Sequence, residues 1–157
     1  VFWAVNLEIF NEKWMEKPFL EVIPPGQGLS FRVYHNNGTG RCSMKSWHFH
    51  PEVELVCIPQ GKGRLYIGNR QYAYENGVVI LLHSNVPHKS FDWGFEGEWY
   101  EEYVIQVQPR QLDVLFGQFP EFGHVRQLVK AAEEGVALPL SVDEAVFRRR
   151  FQALPHG

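Results

Sequence analysis

Two histidines and two glutamates crowd into the stretch WHFHPEVELV, residues 47–56. Side chains alternate faces along a strand, so His48, His50, Glu52 and Glu54 share one parity. Val56 and Ile58 continue that face, and their apolar character turns it inward. Imidazoles and carboxylates held on an interior face need hydrogen-bond partners, a metal or a polar ligand. Pro51 cannot donate to a strand ladder and is expected to bulge the chain there, freeing Glu52 to contact a ligand or to cap a strand edge.

A second stretch, GVVILLHSNVPH at 77–88, runs a buried strand into an Asn-Val-Pro turn and delivers His88. Three imidazoles and one carboxylate suit zinc, nickel, iron(II) or manganese. They equally suit a polar pocket that binds a small molecule without metal. His48, His50, Glu54 and His88 are therefore candidate metal ligands and candidate ligand contacts together.

Flat rings that could stack on a sugar or an aromatic ligand are Tyr66, Tyr74, Trp47 and Trp93, although most aromatics in a small barrel fill its core. Arg32 on an early strand is a candidate partner for an anionic group, against the plainer reading of an exposed or salt-bridged arginine. His83 reads as structural or exposed, and His35 and His124 as surface residues without company. No nucleophile constellation, GxSxG elbow or phosphate-cradling glycine loop occurs.

The elements that must position these residues read as short strands: SFRVYH (30–35), VELVCI (53–58), RLYIG (64–68), QYAYE (71–75), VVILL (78–82) and YVIQV (103–107). Glycine-, proline- and asparagine-rich turns separate them, and Gly68-Asn69 marks a tight hairpin. After Pro109 the period becomes helical, in QLDVLFGQF, FGHVRQLVKAAEEG and SVDEAVFRRRFQAL. Val125, Leu128, Val129 and Ala132 form an apolar stripe, Gly135 reads as a helix stop, and Ser141 with Glu144 as a capping box. Arg148-Arg149-Arg150, with acids nearby in sequence, reads as a solvated helix face.

At 157 residues, 45% of them hydrophobic and 21% charged, the chain is long and apolar enough for one packed domain. A net charge of −3 without a basic stripe makes it a poor candidate for gripping nucleic acid by itself. Cys42 and Cys57 form no CxxC pair, and VFWAV is too short for a membrane span. These features lead to the expectation of a soluble, cytoplasmic domain, cut from a longer chain because it starts at valine.

His48, His50, Glu54 and Gly61 resemble the first motif of cupins, HxHxxxE followed by glycine, and Gly77 with His88 resembles the second. The usual glycine before the first histidine is displaced to Gly40, with Cys42 in its place. The enzyme-type Pro-x-Gly of the second motif is replaced by His83-Ser84-Asn85. More narrowly, HFHPEVELVCIPQGKGRLYIGNRQ, GVVILLHSNVPH and FPEFGHVRQLVKAAEEGVALPL resemble, in this order, the sensor domain of AraC-family transcription regulators, from about Phe19 to Leu154. Val78 departs from that family's pattern, where an acid follows the glycine, and residues 1–17 find no counterpart.

The resemblance implies a mainly β fold: a cupin double-stranded β-helix, or jelly-roll barrel, over 1–108, followed by a short α-helical segment over 109–157. It implies a small-molecule effector, a sugar being the leading class, in the barrel. It also implies a homodimer through the C-terminal helices, and DNA contacted only through a helix-turn-helix domain absent from this chain. No cofactor is required on this reading, a divalent transition metal being the open option. The competing expectation is a free-standing metal-dependent cupin enzyme of dioxygenase or isomerase type, with the same four ligands.

Overall fold

The computed structural model describes residues 17–24, 30–39, 46–141 and 143–154; Gly40 and Cys42 lie outside them, as do residues 1–16. The central sheet is antiparallel and has five strands. β2 (Phe31–Gly38), β4 (Val53–Ile58), β7 (Val78–Leu82), β9 (Tyr100–Val107) and β10 (Val136–Pro139) run in the order β10-β7-β4-β9-β2. A smaller sheet joins β5 (Lys62–Ile67), β6 (Arg70–Tyr74) and β8 (Phe95–Glu96) in the order β6-β5-β8. A parallel pair, β1 (Phe19–Leu20) with β3 (His48–Phe49), adds a short ribbon. Single bridges from His88 to His48 and to Ile67 tie that ribbon to β5.

The main core lies between the two sheets and includes Val56, Ile58, Leu65, Ile67, Val78, Ile80, Leu82 and Val104. Fully burying each aliphatic side chain of this kind contributes about 1.5–3 kcal/mol. The inward parity of β4 holds: Glu54, Val56 and Ile58 are all buried. Pro51-Glu52 forms a bend that separates β3 from β4, as expected from the missing proline N–H. The hairpin at Gly68-Asn69 also forms, with Gly68 at φ +58°.

Past the barrel come α1 (Pro109–Gln118), a 3-10 turn (Pro120–Phe122), α2 (Gly123–Ala131) and α3 (Glu144–Gln152). The sequence reading missed β10, which lies between the helices and pairs with β7 from Val136↔Leu81 to Pro139↔Val78. α3 covers the outer face of the central sheet, where Phe151 packs with Val33, Cys57 and Tyr103 in a second core. Its N-cap is Asp143, which accepts from the Val146 N–H at 3.0 Å, rather than Ser141. Asp143 suits that place because its carboxylate is one of the best acceptors for a free helix N–H.

Candidate functional site

The bend at Pro51 and the turn at Asn85 build the site. Asn85 takes φ +63° and its N–H donates to the His50 carbonyl at 2.7 Å, pinning the turn against β3. Asparagine tolerates that left-handed conformation better than most residues. Two reciprocal backbone bonds of 2.9 Å then join His48 to His88.

Each of the three imidazoles sets its Nδ1 against a nearby backbone carbonyl: His48 on Ser46 at 3.3 Å, His50 on Glu52 at 3.2 Å, and His88 on Val86 at 2.9 Å. With Nδ1–H donating, Nε2 carries the lone pair, the form in which histidine binds a metal or accepts from a ligand. His50 Nε2 lies 3.1 Å from Glu54 Oε2, yet it is buried without a hydrogen bond of acceptable geometry. Gln106 on β9 donates to Glu54 Oε2 at 2.5 Å and leaves its own Oε1 buried and unpartnered.

The charges are arranged accordingly. Burial would raise Glu54, but the adjacent His50 imidazole, His88 and the Gln106 amide hold its carboxyl below the usual range. Burial would lower His50, yet Glu54 raises it. His88 is pushed down to about 4, chiefly by burial and also by the other two imidazoles, with Glu54 opposing. At neutral pH the cluster holds an ionised Glu54 and a neutral His88.

His50, Glu54 and His88 bring three ligand atoms within 4.8 Å of one another, and all three residues are buried. This donor set, with an orphaned Nε2, fits a zinc-like or iron-like ion. His48 stands apart from that group. Its ring meets the His88 ring edge-on at 4.2 Å, but its Nε2 faces Glu21 at 3.7 Å. The four-ligand motif therefore resolves into three converging ligands and one flanking histidine.

The other candidates divide. Glu52 is buried and accepts from Gln108, with its second oxygen unpartnered. Tyr66 takes the parity opposite to buried Leu65 and Ile67, so it stands on the far side of β5 from the core. There it meets Trp93 edge-on at 5.0 Å, and Lys89 lies over Trp93 at 4.1 Å. These rings form a lysine-capped aromatic patch away from the His50 group. Arg32 lies 4.6 Å over the Tyr34 ring.

Two side chains set aside in the sequence reading prove to have partners. His35 stacks on Tyr103 at 4.3 Å and places Nε2 2.8 Å from Glu101. Arg148 binds both oxygens of Glu101 instead of facing solvent. No local signal could have found these contacts, since the partners lie 66 and 47 residues apart. Gln106 and Glu102 were also missed, though the alternation of β9 places both on its inward face with Tyr100 and Val104.

The model of the AraC-like ligand binding domain matches residues 30–131. The chain belongs to that family. No curated protein matches the chain. Among solved structures, this AraC-like domain resembles an apo form of ToxT from Vibrio cholerae, with a TM-score of 0.51 and 14% identity over 82% of this chain and 49% of that one. A second ToxT structure, bound to (E)-4-(8-methylnaphthalen-1-yl)but-3-enoic acid, gives a TM-score of 0.48 and 14% identity over 79% of this chain and 48% of that one. The AraC-like domain thus spans about half the length of the solved chains it resembles. Its mainly β architecture, followed by short helices, is the fold expected from the cupin motifs. No helix among the described residues is long and apolar enough to cross a membrane.

Proposed function

We propose that the chain is the effector-sensing and dimerisation part of an AraC-type transcription regulator of the cytoplasm. A small polar molecule binds inside the barrel against His50, Glu54, His88 and Gln106. His48 and Glu52 flank that group. The observation that carries this reading is the pair of buried, unpartnered polar atoms, His50 Nε2 and Gln106 Oε1, on an inward-facing polar wall. A buried polar atom left without a partner costs about 1–3 kcal/mol, which a ligand supplying the missing bond recovers.

DNA contact belongs to a helix-turn-helix domain outside this chain. The dimer forms through α1, α2 and the turn between them, where Val114, Phe119, Val125 and Leu128 stand exposed. The test is a thermal-shift screen of the domain against small polar metabolites, repeated with Glu54→Gln. A stabilising compound whose effect vanishes in the variant supports the reading. A screen without any hit, or hits indifferent to the variant, overturns it.

The converging His50, Glu54 and His88 favour one second reading, a metal-dependent cupin enzyme with no regulatory role. A metal there would act as a Lewis acid toward a bound oxygen or carbonyl group. Metal-dependent turnover of a substrate, lost in both His50→Ala and His88→Ala, would establish it.

A further inference from the structure

The inward face of β9 carries two acceptors that the His50 group does not satisfy. Glu102 lies two residues from the start of β9, paired with Asn36 of β2. Its carboxylate accepts only from neutral groups among the bonds described, the Tyr100 hydroxyl at 2.6 Å and the Asn36 amide at 3.3 Å. Burial, followed by the charges of Glu54 and Asp92, pushes this carboxyl up to about 7. Glu54 has the His50 imidazole 3.1 Å away, whereas no imidazole or cation is paired with Glu102 among the described contacts. Further along the same face, Gln106 is 3% exposed with Oε1 unpartnered.

Between them Val104 is 1% exposed and offers an apolar floor. Tyr34 stands in register opposite Val104. Burial raises its hydroxyl, and the charges of Glu54 and Glu102 raise it further. Arg32, over that ring, sits in register with Gln106 and makes that end unwelcoming to a second positive charge. The wall therefore offers Glu102 at one end, Gln106 between the imidazole-flanked Glu54 and Arg32 at the other, and apolar and aromatic surface between.

We propose that the effector is a small primary amine of amino-sugar or amino-alcohol type, its ammonium on Glu102 and a hydroxyl or amide donor on Gln106 Oε1. An ammonium supplies three donors and the missing counter-charge, and the tyrosine ring tolerates a cation as well as C–H groups. A carboxylate ligand would instead add a third acid to this wall. The proposal deepens the effector reading above and rests on it.

Calorimetric titration of the domain with matched probes tests it: glucosamine and 5-aminopentanol, their neutral counterparts glucose and pentanediol, and the acids glucuronate and 5-hydroxypentanoate. An amine is expected to bind at least about ten-fold more tightly than its neutral and acidic counterparts, and Glu102→Gln to abolish that preference. Glu96→Gln, at an exposed position on β8, is expected to keep it. A neutral or acidic probe binding as well as the amine, or full amine affinity in Glu102→Gln, overturns the proposal while leaving an effector pocket in place. Silence from all six probes also overturns it, whereas the effector reading stands or falls on the wider screen.

Discussion

Arg148 on α3 grips both carboxylate oxygens of Glu101, the neighbour of Glu102 on β9. Alternation sends Glu101 outward to the helix and Glu102 inward to the barrel, so one strand links the candidate pocket to the C-terminal helix. Tyr103 donates to Glu101 at 2.7 Å and completes the contact. Arg148→Ala removes the guanidinium and leaves a largely buried acid with weaker partners. A charge-assisted bond of this kind contributes about 1.5–3 kcal/mol. Urea unfolding is expected to show a loss of that size, and limited proteolysis earlier cleavage around residues 143–154.

The two adjacent acids titrate in opposite senses. Burial opposes ionisation of Glu101, but Arg148, Tyr103 and His35 together hold its carboxyl below the usual range. Its contribution is therefore present above the unfolded carboxylate value of about 4.3 and is lost as pH falls through its lower folded value. Glu102, raised to about 7, stabilises fully below about 4.3, and that contribution is lost as pH rises through about 7. Melting temperature recorded from pH 3 to pH 8 should show Glu101→Gln flattening the acid limb. Glu102→Gln should gain on the wild type between pH 4 and pH 7, which also shows that this variant folds. A Glu102→Gln curve parallel to the wild type would contradict its raised carboxyl.

Metal affinity should follow the three converging ligands and not the four-residue motif. Cobalt(II) added to the domain is expected to give a ligand-field spectrum that His50→Ala, Glu54→Ala and His88→Ala each abolish. His48→Ala should retain it, because its Nε2 faces Glu21. Equal loss in His48→Ala would require that ring to turn toward the others.

Gly77 sits at φ +90°, and a Cβ there would come within 2.6 Å of the Pro59 carbonyl oxygen. Its N–H also donates to the Gly61 carbonyl at 3.1 Å. Gly77→Ala meets both strain and backbone overlap, so a destabilisation of about 2–4 kcal/mol is expected from denaturant midpoints. Gly117→Ala, where a Cβ meets nothing within 4 Å inside α1, should leave the protein as stable or more so.

If the exposed face of α1 and α2 carries the proposed dimer, sedimentation velocity is expected to show concentration-dependent association. Val125 and Leu128 are 46% and 54% exposed. The double change Val125→Glu with Leu128→Glu should yield monomer with little change in melting temperature. A lower melting temperature without a change of mass would instead mean that the two side chains pack within the monomer.

Much of this was legible because period-2 alternation survives wherever one face is buried. The strand VELVCI matches β4 at both ends, and His48, His50, Glu52, Glu54 and His88 are buried near one another as their parity and turn imply. The glycines at 61, 68, 77 and 135 all take positive φ, as their turn positions required. The stripe on α2 was read less well: Ala132, just past the helix, is fully buried, whereas Val125 and Leu128 are exposed. The partners of Arg148 and His35 were invisible, since cross-strand and helix-to-sheet contacts depend on register and docking. Orientation was equally hidden. Spacing puts His48 in the motif, but only the fold shows its Nε2 turned toward Glu21.

The return of β10 to the central sheet has a practical consequence for where the chain can be divided. Val136–Pro139 occupies the outer ladder of β7. A barrel ended before residue 136 would leave Val78–Leu82, a run of five aliphatic residues, as a bare sheet edge. Such an edge offers unpaired N–H and C=O groups to any passing strand and invites aggregation. The helical segment α1–α2 thus lies between two strands of the same sheet, and a shortened barrel would be expected to precipitate during purification.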